Sequence, residues 1–142
     1  DTMLGSGGVI VMDSETDMVD ALYNILRFYA HESCGQCTPC REGTGWLQKI
    51  CGRILKGQGR PEDPDMMIDL AEKMCGRTIC VLADAAAFPC ESIVRKFREE
   101  FDALITPEGG HERKILPGGP LVQPGALSAH NQEKLDELQG GH

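Results

Sequence analysis

Apolar residues recur every three or four positions through most of the chain, which is the spacing of helices that bury one face. Turns rich in glycine, proline or polar residues separate four such segments. The first segment starts near Ser14 or Thr16, either of which can serve as N-cap, and stops near His31. The second segment predicts a helix from Arg41 to Leu55.

Two more helices are predicted downstream. The third begins at Asp63, which can cap it, has Pro64 in its first turn, and ends at Gly76. The fourth follows Pro89 and continues to about Phe101. Four helices with short connections predict a mainly α fold, arranged as an antiparallel four-helix bundle.

The two ends of the chain differ from this helical part. A glycine-rich turn followed by apolar residues 9–11 predicts a short N-terminal strand, and we interpret residues 1–13 as the end of a preceding β-containing domain. Residues 14–105 form the predicted helical domain. Proline and glycine are frequent beyond them, so we predict a flexible tail over residues 106–142.

Charge and hydropathy narrow the possible partners. The net charge of -8 should repel nucleic acid and anionic lipid, and no apolar run is long enough for a membrane helix. We therefore expect neither nucleic-acid binding nor direct membrane insertion. Since Asp1 rather than methionine opens the chain, we also expect it to have been processed or excised from a longer protein.

Cysteine usage points to a metal or redox centre. The seven cysteines are an odd number, which disfavours a fully paired disulfide framework. Cys34, Cys37 and Cys40 recur every third residue in the connection between the first two helices, a spacing that lets three sulfurs meet three corners of a [4Fe-4S] cubane. Gly35 permits tight curvature in this loop, and Arg41 places positive charge beside it.

A fourth cysteine ligand must come from elsewhere, and four candidates remain. Cys51, Cys75 and Cys90 lie on or at the end of predicted helices, where each can be a buried structural thiol. Cys80 lies in a segment without helical periodicity, which can fold over the loop. The residues favour Cys80 and leave the other three open.

Other interpretations of this motif are open as well. Structural zinc usually uses two Cys-x-x-Cys pairs or adds histidine, whereas a thioredoxin-like dithiol would need only Cys37 and Cys40. Among nearby polar residues, His31 is expected to cap its helix, and Glu32 and Glu42 are expected to solvate the loop or cap the next helix rather than act in catalysis. The sequence predicts no catalytic residue.

The cysteine motif belongs to a longer distinctive string, His31-Glu32-Ser33-Cys34-Gly35-Gln36-Cys37-Thr38-Pro39-Cys40-Arg41-Glu42-Gly43. With Thr78-Ile79-Cys80 further on, it closely resembles the NADH-binding flavoprotein subunit of respiratory complex I, also known as the F or 51 kDa subunit. The resemblance covers about residues 4–104, the C-terminal iron-sulfur part of that subunit. It implies one [4Fe-4S] cluster on Cys34, Cys37, Cys40 and Cys80.

The resemblance also implies a function. In that family the cluster receives electrons from FMN reduced by NADH and passes them towards quinone through further clusters. FMN and NADH bind an N-terminal domain without counterpart here, so the chain is expected to be part of an NADH dehydrogenase without being catalytic in isolation. Related subunits serve NAD-reducing hydrogenases and formate dehydrogenases. A zinc-stabilised interaction module is the alternative from another class.

Partners and location follow from the same resemblance. It implies neighbouring subunits in the peripheral arm of a respiratory NADH dehydrogenase, among them a thioredoxin-like [2Fe-2S] subunit and a subunit with several iron-sulfur clusters. The location implied is the cytoplasmic side of a bacterial inner membrane, or the matrix side in a mitochondrion.

Overall fold

A computed structural model describes Gly5 and residues 7–105 of the chain. This part contains five α-helices, and they are α1 (Met18–Glu32), α2 (Thr38–Leu55), α3 (Asp63–Met74), α4 (Leu82–Lys96) and α5 (Arg98–Ile105). The mainly helical prediction is confirmed. The predicted tail over residues 106–142 lies outside the described residues.

Helix α1 shows how a side chain determines where a helix begins. Its N-cap is Asp17, not the predicted Ser14 or Thr16, and Asp17 Oδ1 accepts hydrogen bonds from the backbone N–H groups two and three residues later at 2.9 Å each. The Thr16 hydroxyl donates instead to Asp13 Oδ1 at 2.9 Å. Because that hydroxyl serves a local turn, the helix begins at Met18.

The predicted fourth helix is two helices. Helix α4 begins at Leu82, well before Pro89, which lies inside it and removes only one backbone hydrogen bond. Phe97 is its C-cap with a non-helical backbone (φ -116°, ψ 32°), and α5 starts at the next residue. The prediction failed because Pro89 resembles a helix start and the preceding alanine-rich turns lack a clear apolar period.

The predicted N-terminal strand is wrong for the residues that the structure describes, which contain no strand. The backbone of residues 7–13 has no regular structure, and Val9, Ile10 and Val11 are exposed. A strand needs a partner for its backbone hydrogen bonds, and the described residues offer none.

The helices surround one core. Helix α1 packs against α2 and α4, α3 also packs against α2 and α4, and α5 contacts α1, α2 and α4. The largest fully buried apolar side chains come from four of the five helices and are Phe101, Leu22, Leu26, Leu47, Ile54 and Met67. None of the described helices is both long enough and apolar enough to cross a lipid bilayer.

A buried carboxylate joins α2 to α3. Asp63 is the first residue of α3, not its N-cap as predicted, and its side chain is fully buried. It accepts hydrogen bonds from Arg53 Nε at 2.9 Å and from the backbone N–H of Arg60 at 2.8 Å, and Arg53 Nη2 also pairs with it. These bonds compensate the buried charge and fix the connection between the two helices.

Candidate metal centre

Three of the predicted ligands, Cys34, Cys37 and Cys40, lie in the connection from α1 into the first turn of α2, which we call the three-cysteine loop. Cys34 is exposed, Cys37 is half-buried and Cys40 is buried. Gly35 adopts φ 81°, which side chains with a Cβ rarely tolerate, and it turns the loop back towards α2. Arg41 Nη1 donates to Gly35 O at 2.9 Å, so a side chain of α2 closes the loop.

Helix α2 begins earlier than predicted, and this changes the setting of the loop. It starts at Thr38 rather than Arg41, because Pro39 suits a first turn. Cys37 is therefore the N-cap residue, and its side chain makes no capping hydrogen bond. Cys40 lies in the first turn, where backbone N–H groups lack intrahelical acceptors and the helix dipole is positive. This helix end favours negatively charged sulfur.

Two hydroxyl groups contact Cys40. Ser33 Oγ lies 3.2 Å from Cys40 Sγ, within hydrogen-bonding distance. Thr44 is fully buried and donates its hydroxyl to Cys40 O at 2.7 Å. One bond thus reaches the Cys40 sulfur and the other its backbone at the start of α2, while Cys34 remains open to solvent.

The segment between α3 and α4 reaches this loop. Its residue Ile79 donates a backbone N–H to Cys37 Sγ at 3.5 Å, and the exposed Cys80 follows directly. Within the segment, the Thr78 hydroxyl donates to Cys80 O at 2.8 Å. Two parts of the chain that are distant in sequence thus meet at the predicted ligands.

The described side chains do not form a site for a single metal ion. Among the described residues, no three or more Cys, His, Asp or Glu side chains are grouped so that they could hold a metal ion. The structure brings the Cys80 segment to the Cys37 side chain. Thiol donors, a facing amide and a helix N-terminus fit an anionic iron-sulfur cluster.

Two other cysteines lie in the core. Cys51 and Cys90 are both fully buried, as predicted, and their Sγ atoms lie 3.6 Å from Val19 O and 3.9 Å from Met67 O respectively. Burial raises the pKa of the Cys51 thiol well above its usual value, and burial raises the pKa of Cys90 to about 12. These thiols remain protonated at neutral pH.

Cys75 differs from the buried thiol that was predicted, since it is only partly buried. Its Sγ donates to Asp84 Oδ1 at 3.0 Å, and this hydrogen bond is the main reason that the pKa of the thiol is raised. The same bond lowers the pKa of the Asp84 carboxyl. The side chain of Asp84, in the first turn of α4, thus binds the end of the preceding helix.

Polar residues beside the loop pair with one another. His31 Nδ1 lies 3.1 Å from Glu32 Oε1, and Arg41 Nε donates to Glu42 Oε1 at 2.9 Å. All four side chains are about half exposed, so these pairs lie at the surface. Sequence reasoning did not find the roles of Ser33, Thr44 and Thr78, because side-chain hydrogen bonds within a turn or a loop do not follow from apolar spacing.

Comparison with known proteins identifies the type of domain. Residues 20–104 match the profile of the NADH-ubiquinone oxidoreductase-F iron-sulfur binding region. The chain is 48% identical over 72% of its length to the NADH-quinone oxidoreductase F subunit of Rickettsia massiliae, of which it covers 24%. It is 44% identical over 86% of its length to the mitochondrial NADH-ubiquinone oxidoreductase 51 kDa subunit of Neurospora crassa, of which it covers 27%.

A solved structure is similar as well. A chain of an NAD+-reducing [NiFe]-hydrogenase in its air-oxidised state superposes with a TM-score of 0.64 at 30% identity, over 78% of this chain and 18% of that one. The chain thus spans about a quarter of the length of the curated relatives and less of the hydrogenase chain.

Proposed function

The chain belongs to the iron-sulfur binding region family of the NADH-ubiquinone oxidoreductase F subunit, and from this premise we propose that Cys34, Cys37, Cys40 and Cys80 hold its [4Fe-4S] cluster for electron relay. When bound, such a cluster accepts and donates single electrons. The main support for these four ligands is the hydrogen bond from Ile79 N–H to Cys37 Sγ, because it brings the segment with Cys80 next to the three-cysteine loop.

The protein side chains have distinct tasks in this proposal. Cys34 and Cys80, which are exposed, close the site from the solvent side, and the buried Cys40 anchors it to α2. The N–H of Ile79 and the hydroxyl of Ser33 lie close enough to sulfur to donate hydrogen bonds to thiolate ligands. Hydrogen bonds of this kind are a means by which a protein tunes the reduction potential of a cluster.

Metal and sulfide analysis of the purified chain tests the cluster. The proposal predicts a brown protein with iron and acid-labile sulfide in equal amounts, about four of each per chain. A colourless protein that holds one zinc ion and no sulfide would instead support the zinc-stabilised interaction module. Both determinations use the same sample, and the two functions predict opposite results.

The longer protein gives the relay its direction. We propose that FMN, reduced by NADH in an N-terminal domain, supplies electrons to the centre in this chain, which passes them to further clusters and finally to quinone. The partners would be a thioredoxin-like [2Fe-2S] subunit and a subunit with several clusters, at the cytoplasmic face of a bacterial inner membrane or the matrix face in mitochondria. Identity of 48% and 44% to respiratory subunits supports this assembly.

A second candidate uses the same chemistry in another complex. The similarity to an NAD+-reducing [NiFe]-hydrogenase, at 30% identity, supports a diaphorase subunit of such an enzyme. Affinity purification of the full-length protein from its native cell distinguishes the two. Co-purifying quinone reductase subunits support the respiratory complex, whereas a co-purifying nickel-containing subunit supports the hydrogenase.

A further inference from the structure

One carboxylate connects the two ends of the segment that carries Cys80. Asp84, in the first turn of α4, accepts a hydrogen bond at Oδ1 from the backbone N–H of Gly76 at 2.8 Å. The same oxygen accepts a hydrogen bond from the Cys75 thiol at 3.0 Å. Both donors belong to the end of α3, so the Asp84 bridge, formed by Cys75, Gly76 and Asp84, closes the base of the segment.

The remaining contacts of the segment are weaker or local. Arg77 Nη1 donates to Lys73 O at 2.9 Å on the surface, and the Thr78 hydroxyl binds Cys80 O within the segment itself. The bond from Ile79 N–H to Cys37 Sγ, at 3.5 Å, has a thiol sulfur as its acceptor, and such sulfur is a weak acceptor. A carboxylate that accepts two hydrogen bonds is a stronger restraint than any of these, because charged acceptors form the stronger bonds.

Restraining the base of the segment matters for metal binding. A short connection that is free to move loses conformational entropy when one of its residues becomes a ligand, and this loss weakens binding. If the two ends are already joined, Cys80 has fewer positions to explore before it binds. The Asp84 bridge joins them without occupying Cys80 or touching the three-cysteine loop.

We propose that Asp84 is a positioning residue that holds the Cys80 segment beside the three-cysteine loop and so promotes cluster assembly. This inference rests on the proposed function, since it assumes that Cys80 is a ligand. Asp84 acts through Gly76 and Cys75 and does not itself bind the cluster. Its role is therefore measured in the motion of the segment and in the rate of assembly.

Three variants separate this role from general stability. Asp84→Ala removes the accepting oxygen, whereas Asp84→Asn retains one carbonyl oxygen that can accept the same N–H. Glu72→Ala is the matched control, because Glu72 also joins α3 to α4, through a 2.8 Å pair with Arg95, but away from the Cys80 segment. Each chain is stripped of its cluster and then reloaded with iron and sulfide under anaerobic conditions.

Two quantities are measured. Mass spectrometry follows hydrogen exchange of the Gly76 amide, and visible absorbance follows cluster assembly. Loss of a hydrogen bond to a charged acceptor should speed exchange of the Gly76 amide in Asp84→Ala by about tenfold or more, and cluster assembly should slow. Asp84→Asn should restore most of both values, and Glu72→Ala should match the unsubstituted chain. Unchanged exchange and assembly in Asp84→Ala, or equal effects in Glu72→Ala, would overturn the proposal.

Two further results distinguish the possible failures. If Asp84→Ala does not fold, Asp84→Ser, which lacks the carboxylate, takes its place, and unchanged exchange and assembly in that variant then count against the bridge. If the unsubstituted chain takes up no cluster at all, the proposed function fails and this inference fails with it. If it takes up the cluster and Asp84→Ala does so equally fast, only the inference fails.

Discussion

Exposure separates the two core cysteines from three of the proposed ligands, whereas the fourth proposed ligand, Cys40, is buried at the N-terminus of α2. Cys34 and Cys80 are exposed and Cys37 is half-buried, whereas Cys51 and Cys90 are enclosed in the core. A buried thiol against a backbone carbonyl is held as a neutral group, because ionisation would leave a charge without solvent. Thiols at the surface are accessible to metal.

The raised pKa values of Cys51 and Cys90 predict a loss of stability at alkaline pH. Their thiols stay protonated in the folded chain above the ordinary pKa of 9.0, up to about 12 for Cys90, while unfolded thiols ionise. The unfolded state then binds fewer protons, so the free energy of unfolding falls as pH rises, by up to about 1.4 kcal/mol per pH unit for each thiol. Below pH 9 this contribution is fully present.

Urea unfolding between pH 8 and 11, followed by circular dichroism under reducing conditions, measures this slope. Cys90→Val removes one of the two thiols and should lower the slope by about half, while changing stability at pH 8 by only about 1 kcal/mol. Equal slopes in the two proteins would contradict the assignment of Cys90 as a buried neutral thiol.

At the scale of helices, the spacing of apolar residues predicted the helices with a clear apolar face. The helical faces and the three-cysteine loop follow from spacing and turn residues, so α1, α2 and α3 were placed correctly except at their ends. The start of α4 was missed because its first turns are rich in small alanines, and the strand over residues 9–11 was wrong because strand formation depends on a partner. The Asp84 bridge was missed because it joins two helices in space.

Helices α2 and α3 pack closely near the three-cysteine loop and the segment that carries Cys80. Gly43 follows Cys40 by one turn, and a Cβ at Gly43 would come within 2.5 Å of Sδ of Met74, which is buried at the end of α3. Gly43→Ala should therefore force Met74 aside and destabilise the fold by about 1–3 kcal/mol. It should also reduce the cluster content, because the two segments that carry the ligands move apart.

Gly45→Ala is the matched control for this prediction. A Cβ at Gly45 would meet nothing within 4 Å, although both glycines lie on α2. Since alanine favours a helix over glycine, Gly45→Ala should stabilise the chain by about 0.5–1 kcal/mol. Thermal unfolding and iron content of the two variants check both effects, and equal stabilities would show that Gly43 is not required for close packing.

At the scale of the whole molecule, the chain corresponds to only a small part of each relative. The chain matches an iron-sulfur binding region and spans about a quarter of the curated subunits. Its described residues form helices around one core, and the candidate centre lies where two interhelical segments meet. We propose that this arrangement holds a redox centre and that FMN and NADH bind another domain.

The isolated chain should therefore not oxidise NADH. NADH with a dye acceptor should give no reduction above the background without protein, while dithionite should bleach the visible absorbance of the same sample. Bleaching by dithionite is the control that the centre is intact. Saturable FMN binding, or dye reduction that depends on NADH, would show that this chain contains more of the catalytic machinery than we propose.

The ligand role of Cys80 is the central claim, because it joins two distant parts of the chain in one site. Cys80→Ala removes a thiolate, whereas Cys75→Ser changes a neighbouring thiol but retains a donor for Asp84. Metal binding that creates its own site contributes to folding, so the loss of Cys80 should also loosen the segment between α3 and α4.

Electron paramagnetic resonance of the dithionite-reduced chain tests this claim most directly. We predict that Cys80→Ala loses the [4Fe-4S] signal of the unsubstituted chain and shows either a three-iron signal before reduction or no cluster signal, while Cys75→Ser retains the original spectrum. An unchanged [4Fe-4S] signal in Cys80→Ala would contradict the proposed ligand set.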